Sequence, residues 1–460
     1  SNSNSNSNSN SNSNSNSNIN MSNTKLFAKK FSKSNLKMTY DSYIYFSYAI
    51  GVDNISHDKF NINLINEIDI INKKIKNKTY KFSPYKLKLL NKGKGKVPRE
   101  IYIPTIRDRI VLKNIQLFLS EVFNDQAHQD IPQNIIHKLK VELNSKKYDS
   151  YIKIDIQNFY PSIDKEILLK KIRQKIRGNF FSSLLLNSLN PSKKEYIDGV
   201  PQGLSISNIL AHLYLKSLDQ KISGLANVTY FRFVDDIFIP LNEKDIKVVK
   251  EIIDAEFKKI KLSIHPIARR ESKSKLGKIS EGFDYLGYTF NEEVFSVRKS
   301  SINNLRNSIV ECFTSYKYAS PHKKNIEFLL WRLNLKITGC IDDTKAKGWI
   351  FFYSQITDEK ILHELDYFVQ KIAKQFDINK KDRERIKKFT RSYFEITHKF
   401  HTSNYIPNFD NFNINNKKQI LLDVFQYDIK GRSDEEIDII FKYKTKKHIN
   451  KLLIDLRNFS

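Results

Sequence analysis

The sequence predicts an α+β fold with an antiparallel sheet, followed by a mostly α-helical C-terminal domain. Between residues 151 and 290 the hydrophobic patterns follow the order strand, helix, helix, hairpin, helix and strand pair, which favours an antiparallel sheet with packed helices. Residues 230–239 are rich in aromatic and β-branched side chains, as is typical of buried strands. After about residue 301, helical periodicity dominates and strand signals are few.

The N-terminus opens on a pure Ser-Asn repeat at residues 1–18, which has no apolar surface to bury. We therefore predict a disordered low-complexity linker over residues 1–20, with Met21 as the natural start. Two domains are predicted after it. Residues 21–300 carry the sheet, and residues 301–460 are helical.

The individual elements are predicted from periodicity and turn residues. Isoleucines spaced three to four residues apart predict helix 61–75, and strand 99–103 alternates until Pro104 ends it. The other predictions for the first domain are helix 108–123, strand 151–156, helices 165–176 and 204–222, hairpin 228–239, helix 245–260 and strand pair 283–290. The C-terminal helices are predicted at 302–313, 326–333, 357–376, 382–398 and 417–424.

Composition indicates the class of partner. The chain has 78 Lys and Arg against 50 Asp and Glu, a net charge of +28 spread over most of its 460 residues. Such a charge attracts phosphate backbones, although a general bias toward Lys, Asn and Ile explains part of it. Cys312 and Cys340 form no metal-binding or disulfide pattern, which fits a reducing cytoplasm. Because no apolar run reaches about 18 residues, no membrane span is expected.

Two adjacent aspartates, Asp235 and Asp236, interrupt the apolar run at 230–239. Carboxylates in such a strand must be paired, hydrogen-bonded or bound to a metal. A tight turn would place both at an exposed tip that a divalent cation can reach. An ordinary surface turn is the alternative, since Asp-Asp is a common turn dipeptide.

Two further features stand upstream of this pair. Asp155 ends the predicted strand 151–156, and two-metal phosphoryl transfer needs acidic side chains on neighbouring strand ends. The alternative interpretation of Asp155 is a residue that caps the end of the strand. Pro201, Gln202 and Gly203 then form a turn before a predicted helix, where glycine allows close approach of a ligand and helix amides can face phosphate. A simple loop and a capped helix are the alternative.

Together, these motifs resemble the reverse transcriptase family. The segments that carry the resemblance, in order, are REIYIPTIRDRIV at 99–111, KIDIQNFY at 153–160, PQG at 201–203, FVDD at 233–236 and FDYLGY at 283–288. The resemblance covers roughly residues 25–300 and implies a right-hand polymerase fold with fingers and palm, followed by a helical, thumb-like domain. It is greatest to bacterial enzymes related to group II introns and retrons, and among them to the defence-associated, abortive-infection reverse transcriptases.

The resemblance also implies roles for single residues. The metal site would consist of Asp155, Asp235, Asp236 and the carbonyl of Ile156, holding two Mg²⁺ ions, or Mn²⁺ in their place. Tyr160 would be the steric gate against a ribose 2′-hydroxyl. Arg99, assisted by Lys94 or Lys96, would contact the triphosphate. Gln202 and Gly203 would line the nascent base pair, and the residues that would hold the primer terminus are Leu286, Gly287 and Tyr288.

The sequence departs from the family pattern in two places. Phe233 stands where the family usually has tyrosine, so that ring cannot donate a hydrogen bond. The residue that protonates the leaving pyrophosphate is not identified among four candidates, which are Arg269, Arg270, Lys273 and Lys275. The stretch 331–340 (WRLNLKITGC) resembles a subgroup signature of unassigned role, for which a basic helix that packs on the palm or binds a template backbone is the simpler interpretation.

The resemblance implies an RNA-directed DNA polymerase in the bacterial cytoplasm, acting in antiphage defence, with a noncoding RNA as template or without a template. Its partners would be dNTPs and nucleic acid, as RNA template or DNA product. A structured RNA, a partner protein or a second copy of the chain are further possible partners. No membrane is expected. The alternatives are a retron- or intron-type enzyme with a non-defence role and a non-catalytic RNA-binding protein on the same scaffold. No pattern for RNase H or an endonuclease follows residue 300.

Overall fold

The computed structural model describes residues 22–45, 49–454 and 456. The linker predicted at residues 1–20 and the start predicted at Met21 lie outside these residues. Among the described helices, none is long and apolar enough to cross a membrane.

The strands of the described chain form small sheets. Their bounds are β1 Lys86–Leu90, β2 Arg99–Ile103, β3 Ser150–Asp155, β4 Phe231–Phe233, β5 Asp236–Leu241, β6 Lys275–Lys278, β7 Phe283–Tyr285, β8 Tyr288–Asn291, β9 Val294–Val297, β10 Cys340–Asp342 and β11 Lys345–Lys347. β1 pairs with β2, and β10 pairs with β11. β7–β8–β9 form a three-stranded sheet, and a four-stranded sheet has the order β4–β5–β3–β6.

Helices make up most of the remaining structure. Residues 22–30 are helical. The α-helices that follow are Lys33–Thr39, His57–Ile62, Leu64–Lys76, Ile106–Val122, Pro132–Asn144, Phe159–Ser162, Lys165–Arg173, Asn179–Leu189, Ser207–Ser223, Ile246–Lys259, Lys299–Lys317, Ile326–Thr338, Trp349–Phe352, Lys360–Gln375, Lys380–Arg383, Phe389–His398, Ile414–Asp423 and Asp434–Ile454. A π-helical turn spans Tyr40–Ile44, and short 3₁₀ turns span Glu243–Asp245, Ile279–Glu281 and Phe409–Asn411.

The chain divides into two units whose boundary differs from the predicted one. Unit 1 comprises Ser1–Gln129 and Ile152–Lys275, and unit 2 comprises Asp130–Tyr151 and Leu276–Ser460. The predicted boundary at residue 300 therefore falls inside unit 2. The reason is a set of long-range bonds within that unit: the amide of Thr357 donates to Phe295 O at 2.9 Å, and Lys140 Nζ donates to Gln355 O at 3.1 Å.

Unit 1 positions the aspartate pair on a hairpin. Phe233 of β4 pairs with Asp236 of β5, so that Val234 and Asp235 form a two-residue turn. Side chains Ile237, Phe238 and Ile239 are fully buried behind it. The helix Ser207–Ser223 is also largely buried, with Leu210, Tyr214 and Leu215 fully covered. The hairpin tip is therefore anchored by a well-packed core.

The predicted α+β class and helical C-terminal region are confirmed, with differences in detail. The helix predicted from residue 204 begins at Ser207, because the Ser207 hydroxyl donates to Pro201 O at 2.5 Å and accepts from the Leu204 amide at 3.2 Å, which holds the preceding residues in a turn. The helix predicted at 382–398 is two helices, since the Asp366 carboxylate accepts from the Phe389 amide at 2.6 Å and starts a new one.

Candidate active site

The turn that carries Asp235 has an unusual backbone. Val234 has φ of +53°, a left-handed conformation that is uncommon for a β-branched residue. Two-residue hairpin turns ordinarily place glycine or asparagine at such positions. A strained residue of this kind persists only when its surroundings fix it.

Arg232 supplies that support. Its Nη1 donates to Val234 O at 2.8 Å, and its Nε and Nη2 donate to the two carboxylate oxygens of Asp219 at 2.7 and 2.6 Å. Nη2 also donates to Nδ1 of His212 at 2.9 Å, and Tyr230 OH donates to Asp219 at 2.6 Å. The Arg232 side chain is only 4% exposed. A buried, bidentate ion pair therefore fixes the carbonyl that precedes Asp235.

Asp155 lies at the end of β3, and its main chain is held on both sides. Its amide donates to Ser274 Oγ at 2.9 Å, and its carbonyl accepts from the His265 amide at 3.0 Å. Its side chain is 47% exposed, and Oδ1 lies 3.4 Å from His265 Nε2. The carboxylate is thus accessible while its backbone is fixed.

The two carboxylates on β3 and the hairpin lie within electrostatic reach of each other. The pKa of Asp235 is raised, first because the group is buried and further because the negative charge of Asp155 is close. Arg99 and Lys92 act in the opposite direction on the same pKa. A bound cation would stabilise the charged form of Asp235 against burial and against the negative charge of Asp155.

The oxygen atoms available here as metal ligands suit a hard divalent cation. Carboxylate and carbonyl oxygens are the preferred ligands of Mg²⁺ and Mn²⁺. The carbonyl of Ile156 is turned away from its bridge partner Ile264, because the hydrogen bonds of that bridge are made by Asp155 O and Gln157 N. Asp236, the first residue of β5, pairs with Phe233 rather than occupying the turn.

A different group of carboxylates lies closest together among the described residues. Asp342, Asp343 and Asp410 have oxygens within 4.8 Å of one another. Lys347 pairs with Asp342 at 3.0 Å, and Asp410 accepts from the amides of Asp343 and Thr344 at 2.9 and 2.8 Å. These bonds explain the cluster as a capped turn. Asp155, Asp235 and Asp236 do not form such a cluster in the part of the chain that the structure describes.

Tyr160 lies within electrostatic reach of Asp235. It belongs to the short helix Phe159–Ser162, which follows Asn158 in a left-handed conformation, and its hydroxyl donates to Asn208 Oδ1 at 2.7 Å. Burial raises the pKa of Tyr160, the charge of Asp235 raises it further, and Arg99 lowers it. The predicted gate therefore sits beside both the predicted metal ligand and the predicted triphosphate contact.

The Pro-Gln-Gly turn packs against β2, which begins with Arg99. The amide of Tyr102 donates to Gln202 O at 2.9 Å. Gly203 has φ of +104°, and a Cβ there would lie 2.7 Å from Cγ2 of Ile101. Only glycine fits this close approach. Glycine is therefore required in this turn by the chain's own packing, and its contact with a nascent base pair stays a prediction.

Cations lie around Asp235, including Lys92, which the motifs did not single out. The pKa of Lys92 is lowered by burial first, then by the charges of Arg99 and Lys273, and it is raised by Asp235. Lys96 contributes to the same lowering. The described part of this site therefore holds Arg99 and Lys92 near Asp235, with Lys273 near Lys92, a charge pattern suited to a triphosphate.

The predicted primer-holding residues lie in unit 2. Leu286 and Tyr288 are 3% and 1% exposed, and the Tyr288 hydroxyl donates to Phe352 O. Leu286 and Gly287 both have positive φ, +50° and +80°. Because both side chains are buried, a contact with a primer would come from the backbone of this turn. Their role stays a prediction.

Sequence reasoning missed the support of the hairpin. Arg232, Asp219 and His212 converge only in the folded chain, so the sequence did not indicate which residues would pair with Arg232. One observation was available: an arginine inside an apolar strand needs a buried partner. His265 was missed for a similar reason, since it follows Ile264, whose bridge to Ile156 is not predicted by periodicity.

The chain is similar to known proteins over part of its length. Residues 75–290 match the family described as reverse transcriptase (RNA-dependent DNA polymerase). The group II intron-encoded protein LtrA of Lactococcus lactis is 27% identical over 33% of this chain and 27% of LtrA. The Retron Ec73 reverse transcriptase of Escherichia coli is 27% identical over 36% of this chain and 56% of that protein. Apo telomerase from Candida tropicalis superposes with a TM-score of 0.39 and 13% identity over 88% of this chain and 69% of that chain.

The extent of these matches is partial. The chain spans 27% of LtrA and 56% of the retron enzyme. The family match includes every residue placed at the site above, from Lys92 to Ser274, and ends shortly after Tyr288. The helical region beyond residue 290 lies outside it.

Proposed function

Since the chain carries a reverse transcriptase domain at residues 75–290 and is related to group II intron and retron proteins, we propose that it is an RNA-directed DNA polymerase. It adds deoxynucleotides to a 3′-hydroxyl by two-metal phosphoryl transfer. The observation that carries the proposal is the pairing of Asp155 and Asp235, whose charges oppose each other beside Arg99 and Lys92.

Asp155, Asp235 and the Ile156 carbonyl would hold the two Mg²⁺ ions, or Mn²⁺, with Asp236 in support. The bound metal would supply charge neutralisation at the phosphate and a lower pKa for the attacking hydroxyl. The protein's own contribution is position: Arg232 holds the turn of Asp235, and Ser274 and His265 hold the backbone of Asp155. Such fixed placement is a major part of catalysis in phosphoryl transfer.

The remaining site residues select and orient the nucleotide. Arg99, with Lys92 and Lys273 in reach, would neutralise the triphosphate. Gln202 and Gly203 would lie against the nascent base pair, because their turn is bound to β2. Tyr160, restrained by its bond to Asn208, would exclude a ribose 2′-hydroxyl by its bulk.

The wider role follows from the resemblance to defence-associated enzymes. We propose antiphage defence in the bacterial cytoplasm, with dNTPs as substrates and a noncoding RNA as template, or synthesis without a template. A structured RNA or a partner protein would join the active assembly. A retron- or intron-type enzyme with another role is the second candidate, favoured by the similarity to LtrA and the Ec73 enzyme.

Primer extension tests the proposal. The purified chain is incubated with Mg²⁺, labelled dNTPs and a primed RNA, with the same primer on DNA as a comparison. We expect labelled product from the wild type on RNA and none from a variant carrying Asp235→Ala and Asp236→Ala. Equal product from that variant would contradict the enzyme assignment, and product on DNA alone would contradict RNA direction.

A further inference from the structure

The helix Phe389–His398 of unit 2 presents cations and aromatic rings together on one side. Lys388 is its N-cap residue, and Arg391, Phe394 and His398 follow at spacings of three and four residues, which place them on one face of a helix. All four side chains are exposed, and that of Phe394 is 42% exposed. This face therefore offers both charge and apolar ring surface to solvent.

The rings on this face already form a stack. The ring centroids of Phe394 and His398 are 4.6 Å apart, with their planes inclined by only 19°. Nζ of Lys399 lies 5.8 Å from the centroid of the Phe394 ring. Phe400 follows, 40% exposed, with its ring centroid 5.0 Å from that of His401. A planar base can extend an exposed stack of this kind, because every base has a π face.

The charge that this face presents to solvent is positive. Residues 387–401 contain four Lys and Arg side chains and a single carboxylate, that of Glu395. The Glu395 side chain is only 4% exposed, and it accepts a hydrogen bond from Arg391 Nε at 2.8 Å. Lys388 and Lys399 are exposed. The face is thus complementary in charge to a phosphate backbone.

The cations at the start of the helix are held in place by Tyr405. Lys387 Nζ and the guanidinium carbon of Arg391 lie 4.9 and 5.6 Å from the centroid of its ring. Its hydroxyl accepts from the amide of Lys388 at 2.8 Å. Because these contacts already order this end of the face, less conformational freedom would be lost when a ligand binds.

We propose that this face, which comprises Lys388, Arg391, Phe394, His398 and Lys399, binds single-stranded nucleic acid. The cations would contact phosphates, and the stack of Phe394 on His398 would receive a base. An acidic protein segment would match the charge but would leave the exposed rings without a planar partner. The 388–399 face lies beyond residue 290, outside the family match, and it does not depend on the chemistry proposed for unit 1.

Photocrosslinking locates the bound strand. A 15-nucleotide single strand of thymidylate that carries 5-iododeoxyuridine is titrated onto the full chain in EDTA, without dNTPs, and the irradiated complex is digested with trypsin. Because trypsin cuts after Arg391 and Lys399, crosslinks to Phe394 or His398 appear in the peptide 392–399, and crosslinks to Phe400 appear in the next peptide. Nucleotide incorporation does not enter the readout, so failure of this proposal and failure of the proposed function are distinguishable.

Matched variants measure the contribution of charge and ring. The strand concentration that gives half-maximal crosslinking to peptide 400–417 reports the affinity. Lys388→Gln should raise this concentration about two- to fivefold and lower the slope of log K against log salt by about 0.7. Phe394→Leu should raise it about fivefold or more, since leucine cannot stack with a base. Lys442→Gln and Tyr318→Leu, which change exposed side chains elsewhere in unit 2, should leave it unchanged.

Crosslinks in these two peptides that Lys388→Gln and Phe394→Leu weaken more than their controls would support the proposal. No crosslink in either peptide at saturating strand, or effects equal to those of Lys442→Gln and Tyr318→Leu, would overturn it. A polyglutamate peptide of the same length should compete poorly with the strand. Competition as strong as that of unlabelled oligothymidylate would assign the face to an acidic partner and overturn the assignment to nucleic acid.

Discussion

Arg232 Nη1 lies 2.8 Å from the carbonyl oxygen of Val234, the residue that directly precedes Asp235. Val234 adopts a φ of +53°, so this bond fixes a backbone conformation that a valine rarely adopts. The same guanidinium is held by both oxygens of Asp219. The position of a predicted metal ligand therefore depends on a buried ion pair in the adjacent strand and helix.

Replacing Arg232 with lysine should make the position of Asp235 less fixed without removing a positive charge. Arg232→Lys keeps one positive charge but loses the fork of donors, so we expect kcat for nucleotide incorporation to fall about ten- to hundredfold. The Mg²⁺ concentration for half-maximal activity should rise, which loss of stability alone would not cause. Activity is measured below the melting temperature of the variant.

Arg173→Lys is the matched control, because Arg173 is exposed in the same unit. We expect it to keep both parameters. An unchanged Mg²⁺ requirement in Arg232→Lys would show that the bond from Arg232 to Val234 O does not position Asp235.

His212 should make stability depend on pH. Its pKa is lowered from 6.5 to about 4, by burial first and then by the charge of Arg232. Because the unfolded chain binds the proton more tightly, this histidine lowers the free energy of unfolding as pH falls from about 6.5 toward 4, by about 2 kcal/mol at pH 5. Its contribution is constant above that range.

Urea denaturation at pH 7.5 and pH 5 measures this loss. His212→Asn keeps a hydrogen-bond acceptor for Arg232 but does not titrate. The free energy of unfolding of this variant should therefore fall less between the two pH values than that of the wild type, by about 2 kcal/mol. The same loss in wild type and variant would contradict the assignment.

Gly203 should be intolerant of a methyl group. Gly203→Ala would place Cβ 2.7 Å from Ile101 and 3.1 Å from Tyr102 O, displacing the turn against which a base pair would form. We expect the KM for dNTP to rise about tenfold or more. Gly431→Ala also has a positive φ, +72°, but meets nothing within 4 Å, and it should leave the KM unchanged. Equal KM values in the two variants would contradict the close packing of this turn.

Tyr160 should control the choice of sugar. Tyr160→Ala removes the ring beside Asp235, and we expect the preference for dNTP over the matching rNTP in kcat/KM to fall at least about tenfold. Tyr160→Phe loses the bond to Asn208 but keeps the ring, so it should retain most of the preference. If Tyr160→Ala retains the wild-type preference, the gate is another residue.

The sequence predicted the parts of the site that local pattern encodes. Asp155 at a strand end and Asp235 at a hairpin tip follow from apolar runs that a carboxylate interrupts, and Gly203 follows from turn chemistry. It did not predict that Arg232 reaches Asp219 and His212, since those residues lie 13 and 20 positions away and meet only through packing. Nor did it predict the helix Pro132–Asn144 in unit 2, whose bond to Gln355 spans 215 residues.

The central claim is that Asp235 is a metal-binding carboxylate of a polymerase. The most direct measurement compares single-turnover dNTP incorporation by the wild type, Asp235→Asn and Asp254→Asn, an exposed change on helix Ile246–Lys259 that serves as the control. The substitution keeps the shape of the side chain and removes its charge. We predict a loss of at least about a thousandfold for Asp235→Asn and wild-type rates for Asp254→Asn. Wild-type incorporation by Asp235→Asn would contradict the account.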